Sequence, residues 1–75
     1  MRAWFSLPRA SRVRIGVYDV MGRQMAVLED RDFEAGRHQV AWNASTSRGL
    51  APAGLYFMRM QVGGMSFSQR VVVIR

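Results

Sequence analysis

The sequence predicts an all-β fold, an antiparallel sandwich or small barrel, and three observations predict it. Apolar residues recur with a period of two almost everywhere, as half-buried strands require. Turn-forming residues interrupt these runs roughly every 8–12 residues, the spacing of short strands in sandwiches and barrels. No window holds helical periodicity, and Gly16, Gly22 and the β-branched run Val71-Val72-Val73-Ile74 all disfavour helix.

Taken in order, Ala3, Phe5 and Leu7 alternate with Arg2, Trp4 and Ser6 until Pro8 stops the run. Val13, Ile15 and Val17 alternate with Arg12, Arg14 and Gly16, a strand that turns its arginines to water and runs on to Tyr18 or as far as Val20. Asp19-Val20-Met21-Gly22 reads as a turn, because Asp bonds nearby backbone and Gly tolerates positive φ. Met25 to Leu28 reads as a short strand closed by the acidic stretch Glu29-Asp30-Arg31-Asp32. After an Ala35-Gly36 turn, His38, Val40 and Trp42 share one face of the next strand. Asn43 to Ala53 reads as a surface loop rich in Ser, Thr, Gly and Pro. Gly54 opens the strand Leu55 to Val62, Gly63-Gly64 supplies a two-residue hairpin turn, and Ser66 to Ile74 is the partner strand. That makes six or seven strands.

At 75 residues the chain is one small domain, 1–75, with no internal linker. Its 49% apolar and 21% charged residues are globular composition. There is no cysteine, so neither a disulfide nor a thiolate metal site staples it. The net charge of +6 comes from eleven arginines against five acids, with no lysine. Such a balance raises nucleic acid as a partner, although an arginine-only basic set more readily reflects the source organism's codon usage, so nucleic acid is not the expected partner. No apolar run approaches the ~20 residues of a membrane-spanning helix. No signal peptide is expected either, since Pro8 and Arg9 follow Met1 to Leu7 before an apolar core develops.

Catalysis finds no support among the residues. His38 is the only histidine and has no companion base or second ligand, so it reads as structural. Asp30, Asp32 and Glu34 lack the spaced oxygen-ligand pattern of a calcium loop and read as a solvated turn. No catalytic residue, cofactor, metal or small-molecule substrate is expected. Asp19 and Arg23 read as a surface pair that fixes the turn by bonding backbone. Trp42, Tyr56, Met58 and Met60 read as core. Trp4, Leu55, Phe57, Val72 and Ile74 fall out of phase with the buried set, which makes several strands apolar on both faces. Only one face of each sheet in so small a sandwich is core, so these five mark a possible interface.

Two sets of segments together resemble a known family. The first is Phe5-Ser6-Leu7-Pro8 with Val17-Tyr18-Asp19-Val20-Met21-Gly22-Arg23. The second is Ala35-Gly36-Arg37-His38-Gln39-Val40-Ala41-Trp42-Asn43 with Ala53-Gly54-Leu55-Tyr56-Phe57-Met58-Arg59-Met60. In this order they resemble the Ig-like domain of the flagellar hook-capping protein FlgD and the related type A C-terminal sorting domain of type IX secretion, from about Ala3 to Arg75. The resemblance implies an Ig-like sandwich at the C-terminus of a secreted or surface protein, recognised by export machinery. It places the family's turn element on Tyr18, Asp19, Gly22 and Arg23, its Gly-x-Tyr element on Gly54 and Tyr56, and its basic last strand on Arg70 to Arg75. The family's usual Asp-Gly after the tryptophan is Asn43-Ala44 here, and the final strand has no lysine.

The expected function is therefore that of a non-enzymatic module acting by surface and edge-strand recognition. Its partner would be export machinery, a passenger domain or a copy of itself. A self-assembling subunit of an extracellular fibre or surface assembly is the alternative. Nucleic-acid binding ranks third, because the arginines are spread evenly and no stacking platform interleaves them.

Overall fold

The computed structural model describes residues 1–74 and is all-β and antiparallel throughout. The strands are β1 (Arg2–Leu7), β2 (Ser11–Asp19), β3 (Gln24–Phe33), β4 (Gly36–Ala41), β5 (Ser45–Thr46), β6 (Gly49–Leu50), β7 (Gly54–Val62) and β8 (Met65–Val73). A four-stranded sheet in the order β3-β2-β7-β8 faces a two-stranded sheet, β1-β4, and β5-β6 is a separate minimal hairpin. The result is a small sandwich with unequal layers.

The alternation anticipated along each strand fills the space between these layers. From the large sheet come Val13, Ile15, Val17, Phe33, Tyr56, Met58, Val71 and Val73; from the small sheet and its exit come Leu7, Val40 and Trp42. Met60 packs against this cluster from its margin. Trp42 is the largest side chain that is almost fully buried. Its indole N–H donates to the Ser45 carbonyl at 2.8 Å, so burial leaves no orphan donor. Gly63-Gly64 joins β7 to β8 with Val62 opposite Met65, the expected two-residue turn.

Two segments depart from the sequence expectation. The strand expected to end at Leu28 runs on through the acidic stretch to Phe33. Asp30 stands opposite Arg14, with Arg12 and Arg14 contacting its two carboxylate oxygens at 3.1 and 3.4 Å. Asp30 and Asp32 thus lie on the solvated face of a strand, where cross-strand arginines favour pairing. Among the described residues no three His, Asp or Glu side chains converge as metal ligands.

The β2–β3 register also slips twice, between Ile15 and Gly16 and between Val17 and Tyr18. The extra residues, Leu28 and Met25, are partly buried against the core.

The second departure is the span expected to be an open loop. It folds into β5-β6, and Ala51 within it is fully buried. Asn43 Oδ1 accepts the Ser45 N–H at 3.0 Å, an Asx turn. Ala44 adopts φ +63°, the left-handed conformation that glycine takes without steric cost and alanine does not. Asparagine therefore keeps the turn's side-chain bond, while alanine accepts some strain.

Candidate recognition surface

The β2–β3 connection is built around one carboxylate. The Gly22 N–H donates to the Asp19 carbonyl at 3.0 Å and the Asp19 N–H to the Arg23 carbonyl at 2.9 Å. Gly22 sits at φ +84°, so this is a three-residue hairpin loop with glycine in its left-handed position. Asp19 Oδ1 accepts the N–H groups of Met21 and Arg23, both at 2.9 Å, and Oδ2 accepts Arg23 Nε–H at 2.8 Å. These bonds, led by that from the Arg23 backbone, hold the Asp19 carboxyl below its ordinary pKa.

Asp19 differs from the surface group expected: its side chain is only 12% exposed, against 75% for Arg23. Asp19 stands opposite Tyr56 in the β2–β7 register, and that cross-strand neighbour accompanies its shielding.

Tyr18 lies on the outer face of the same strand, and Gly16 makes room for it. A Cβ at Gly16 would stand 3.2 Å from Tyr18 Cε1 and 3.3 Å from the Ala26 carbonyl oxygen. The Arg59 guanidinium covers the Tyr18 ring at 4.6 Å. The sequence reading placed Gly16 on the outward face of this strand and counted it against helix, without a reason for a glycine there. A glycine inside a strand pattern is itself a signal of close approach, and here it seats an aromatic ring.

Gly54 opens β7 at φ +153°. Two residues on, the Tyr56 ring meets Trp42 edge-on at 5.5 Å, and its hydroxyl donates to the Pro52 carbonyl at 2.6 Å. Tyr56 thus straps the connection back onto the start of its own strand.

The five out-of-phase apolar residues fall into two places. Leu55 and Val72 are cross-strand partners on the outer face of β7–β8, and Ile74 continues the row beyond β8. Their exposures are 37%, 58% and 87%. Phe57 belongs to this face but is half-buried, with Tyr18 opposite it on one side and Arg70 on the other. Arg70 is exposed, and Arg75 lies outside the described residues. Trp4, by contrast, is on the outer face of the small sheet, 57% exposed beneath the Arg37 guanidinium at 4.4 Å. The structure therefore gathers Tyr18, Leu55, Phe57, Arg70, Val72 and Ile74 on one face and leaves Trp4 apart.

No family model, curated protein or solved structure matches this chain. The face must be read from its own chemistry.

His38 points into the sandwich beside Phe5 and Phe33, with ring centroids at 5.5 and 5.0 Å. Its Nε2–H donates to the Glu34 carbonyl at 2.7 Å, which commits that nitrogen to the backbone. Arg12 and Arg14 are both engaged by Asp30, so the pair closest to a basic patch shares one carboxylate and is partly offset in charge.

Proposed function

We propose that this chain is a non-enzymatic Ig-like recognition module of an exported bacterial protein, similar to a C-terminal sorting or anchoring domain. The observation that carries this reading is the row Leu55, Val72 and Ile74 on the outer face of β7–β8, beside Arg70. Contiguous apolar surface rimmed by charge is the usual character of a protein-docking patch. The Ig-like assignment draws support from the Tyr56 hydroxyl bonded to backbone four residues upstream and from the buried Trp42. Both are recurrent devices of Ig sandwiches.

The test is export of a reporter fused ahead of this chain in a bacterium with type IX secretion. Deleting β8 would be uninformative, because Val71 and Val73 are core. The double variant V72D/I74D alters only exposed positions. Export should fall about tenfold or more, as for loss of an interface anchor, with an unchanged circular dichroism melt. Full export by a folded double variant would refute the sorting role.

One observation favours the second reading, a self-assembling subunit. The two outer strands of the large sheet, β3 and β8, differ in charge: β3 carries Glu29, Asp30 and Asp32 against Arg31 alone, and β8 has Arg70 and no acid. Opposite edges of opposite sign permit head-to-tail pairing of copies.

A further inference from the structure

The small sheet does not roof the whole of the large one. β4 lies toward β3, and on the inner face of β8 Val71 and Val73 are buried while Met65, Phe67 and Gln69 stay exposed. Along that side, three adjoining hollows run between β1 and β8. One spans Leu7 to Met65 and encloses about 730 Å³. The next, about 160 Å³, lies between Phe5 and Phe67, and the last, about 220 Å³, between Arg2 and Arg70. Met58 and Met60 form the floor and Phe5, Leu7 and Phe67 the walls. Phe67 remains 49% exposed although it stands opposite the core-packed Met60 on the inward face.

Both strands bordering this cleft have an open edge. Among the described residues β1 pairs only with β4, and β8 only with β7. The backbone groups along each open edge are available to another strand. β1 has six residues, a length of roughly 20 Å at the usual rise per residue.

Charge narrows the occupant. Every carboxylate side chain lies between Asp19 and Glu34, in the β2–β3 turn, on β3 or just after it. The cleft walls and ends hold none, whereas Arg2, Arg9 and Arg70 line it and make no ion pair among the described residues. Arg37, over Trp4, adds a further cation on the outer face of the small sheet.

We infer that the β1–β8 cleft binds an extended, acidic segment of another protein, about six residues long, as a third strand beside β1. Its inward side chains are apolar and sit on Met60 and Phe67. Its outward side chains are Asp or Glu and meet Arg2, Arg9 and Arg37. This is strand addition, in which backbone bonds supply affinity and alternate pockets supply specificity. The inference rests on the non-enzymatic recognition reading but uses a surface distinct from the outer face of β7–β8.

The probe is a fluorescein-labelled peptide, Val-Asp-Ile-Glu-Val-Asp-Val, titrated with purified protein and followed by anisotropy. Saturable binding that weakens with salt is expected, with amide shifts confined to β1 and β8 in NMR spectra. Phe67→Glu and Arg9→Glu, both at exposed positions, should each weaken binding about tenfold. Arg48→Glu, on the connection between β5 and β6, should leave it unchanged. A lysine-for-acid peptide should not bind. No saturable binding, equal binding of a composition-matched scramble, or insensitivity to Phe67→Glu would each overturn the inference. So would β1 and β8 shifts on concentrating the protein alone, which would give the cleft to a second copy. The V72D/I74D variant should bind the peptide normally, so failure here and failure of export are separable.

Discussion

Asp19 shows how much one side chain organises. Its two oxygens collect three N–H groups from the turn it begins, and the negative charge is what those donors favour. The carboxyl pKa is therefore lower in the folded chain than in the unfolded one, where ~3.9 is usual. With that sign, the stabilisation is fully present above the unfolded value and disappears as pH falls through the folded one. Thermal melts between about pH 5 and about pH 3 should therefore show a falling midpoint for the wild type and a flatter one for Asp19→Asn. At neutral pH the variant should melt lower, because asparagine brings no charge to Arg23. Parallel curves for the two proteins would show that the acid sensitivity arises elsewhere. The turn was legible in Asp19 and Gly22, but the shielding of the carboxylate was not. It accompanies Tyr56, a neighbour 37 positions along the chain that only the β2–β7 register brings alongside.

At the scale of elements, strands were legible wherever one face is core and the other solvated. β1, β2, β4 and the β7–β8 hairpin follow from alternation and from Gly63-Gly64. β3 was cut short because its second half reads as a charged turn. Its pairing depends on Arg12 and Arg14, contributed by another strand. β5-β6 was missed for a similar reason, since two-residue strands carry no period. This hairpin is held by contacts outside itself: Trp42 Nε1–H to Ser45, Ala51 N–H to the Ala44 carbonyl at 2.7 Å, and Tyr56 Oη–H to Pro52. Tyr56→Phe keeps the ring against Trp42 but removes the last of these. The loss should be about 1–2 kcal/mol, as for a partly buried hydrogen bond whose acceptor is left unpaired. Hydrogen exchange should quicken at Thr46, Leu50 and Ala51 before it does in the centre of β2. Uniformly faster exchange throughout the chain would mean that Tyr56 supports the whole core instead of this strap.

The whole molecule is polarised in charge and unequal in its layers, and the two features bear on whether it is ever alone. Acidic side chains gather on the β2–β3 side and free arginines on the β1–β8 side, an arrangement that favours contact between copies at low ionic strength. The net charge of +6 opposes it, because every added copy repels the others. Of β3's neighbouring carboxylates, Glu29 and Asp30 are already paired within the chain. Asp32 and Glu34 make no ion pair among the described residues, and exposed pairs that they would form with a neighbour contribute at most about 1 kcal/mol each. Repulsion should win. Light scattering behind a sizing column should therefore find a monomer near 8.5 kDa at both low and high salt. Assembly at low salt that dissolves as salt rises would identify β3-to-β8 pairing steered by charge, since screening shortens its reach to roughly 10 Å or less. Assembly that survives high salt would instead require apolar contact, through the Val72 and Ile74 row or the β1–β8 cleft, and would put the self-assembling subunit ahead of the recognition module.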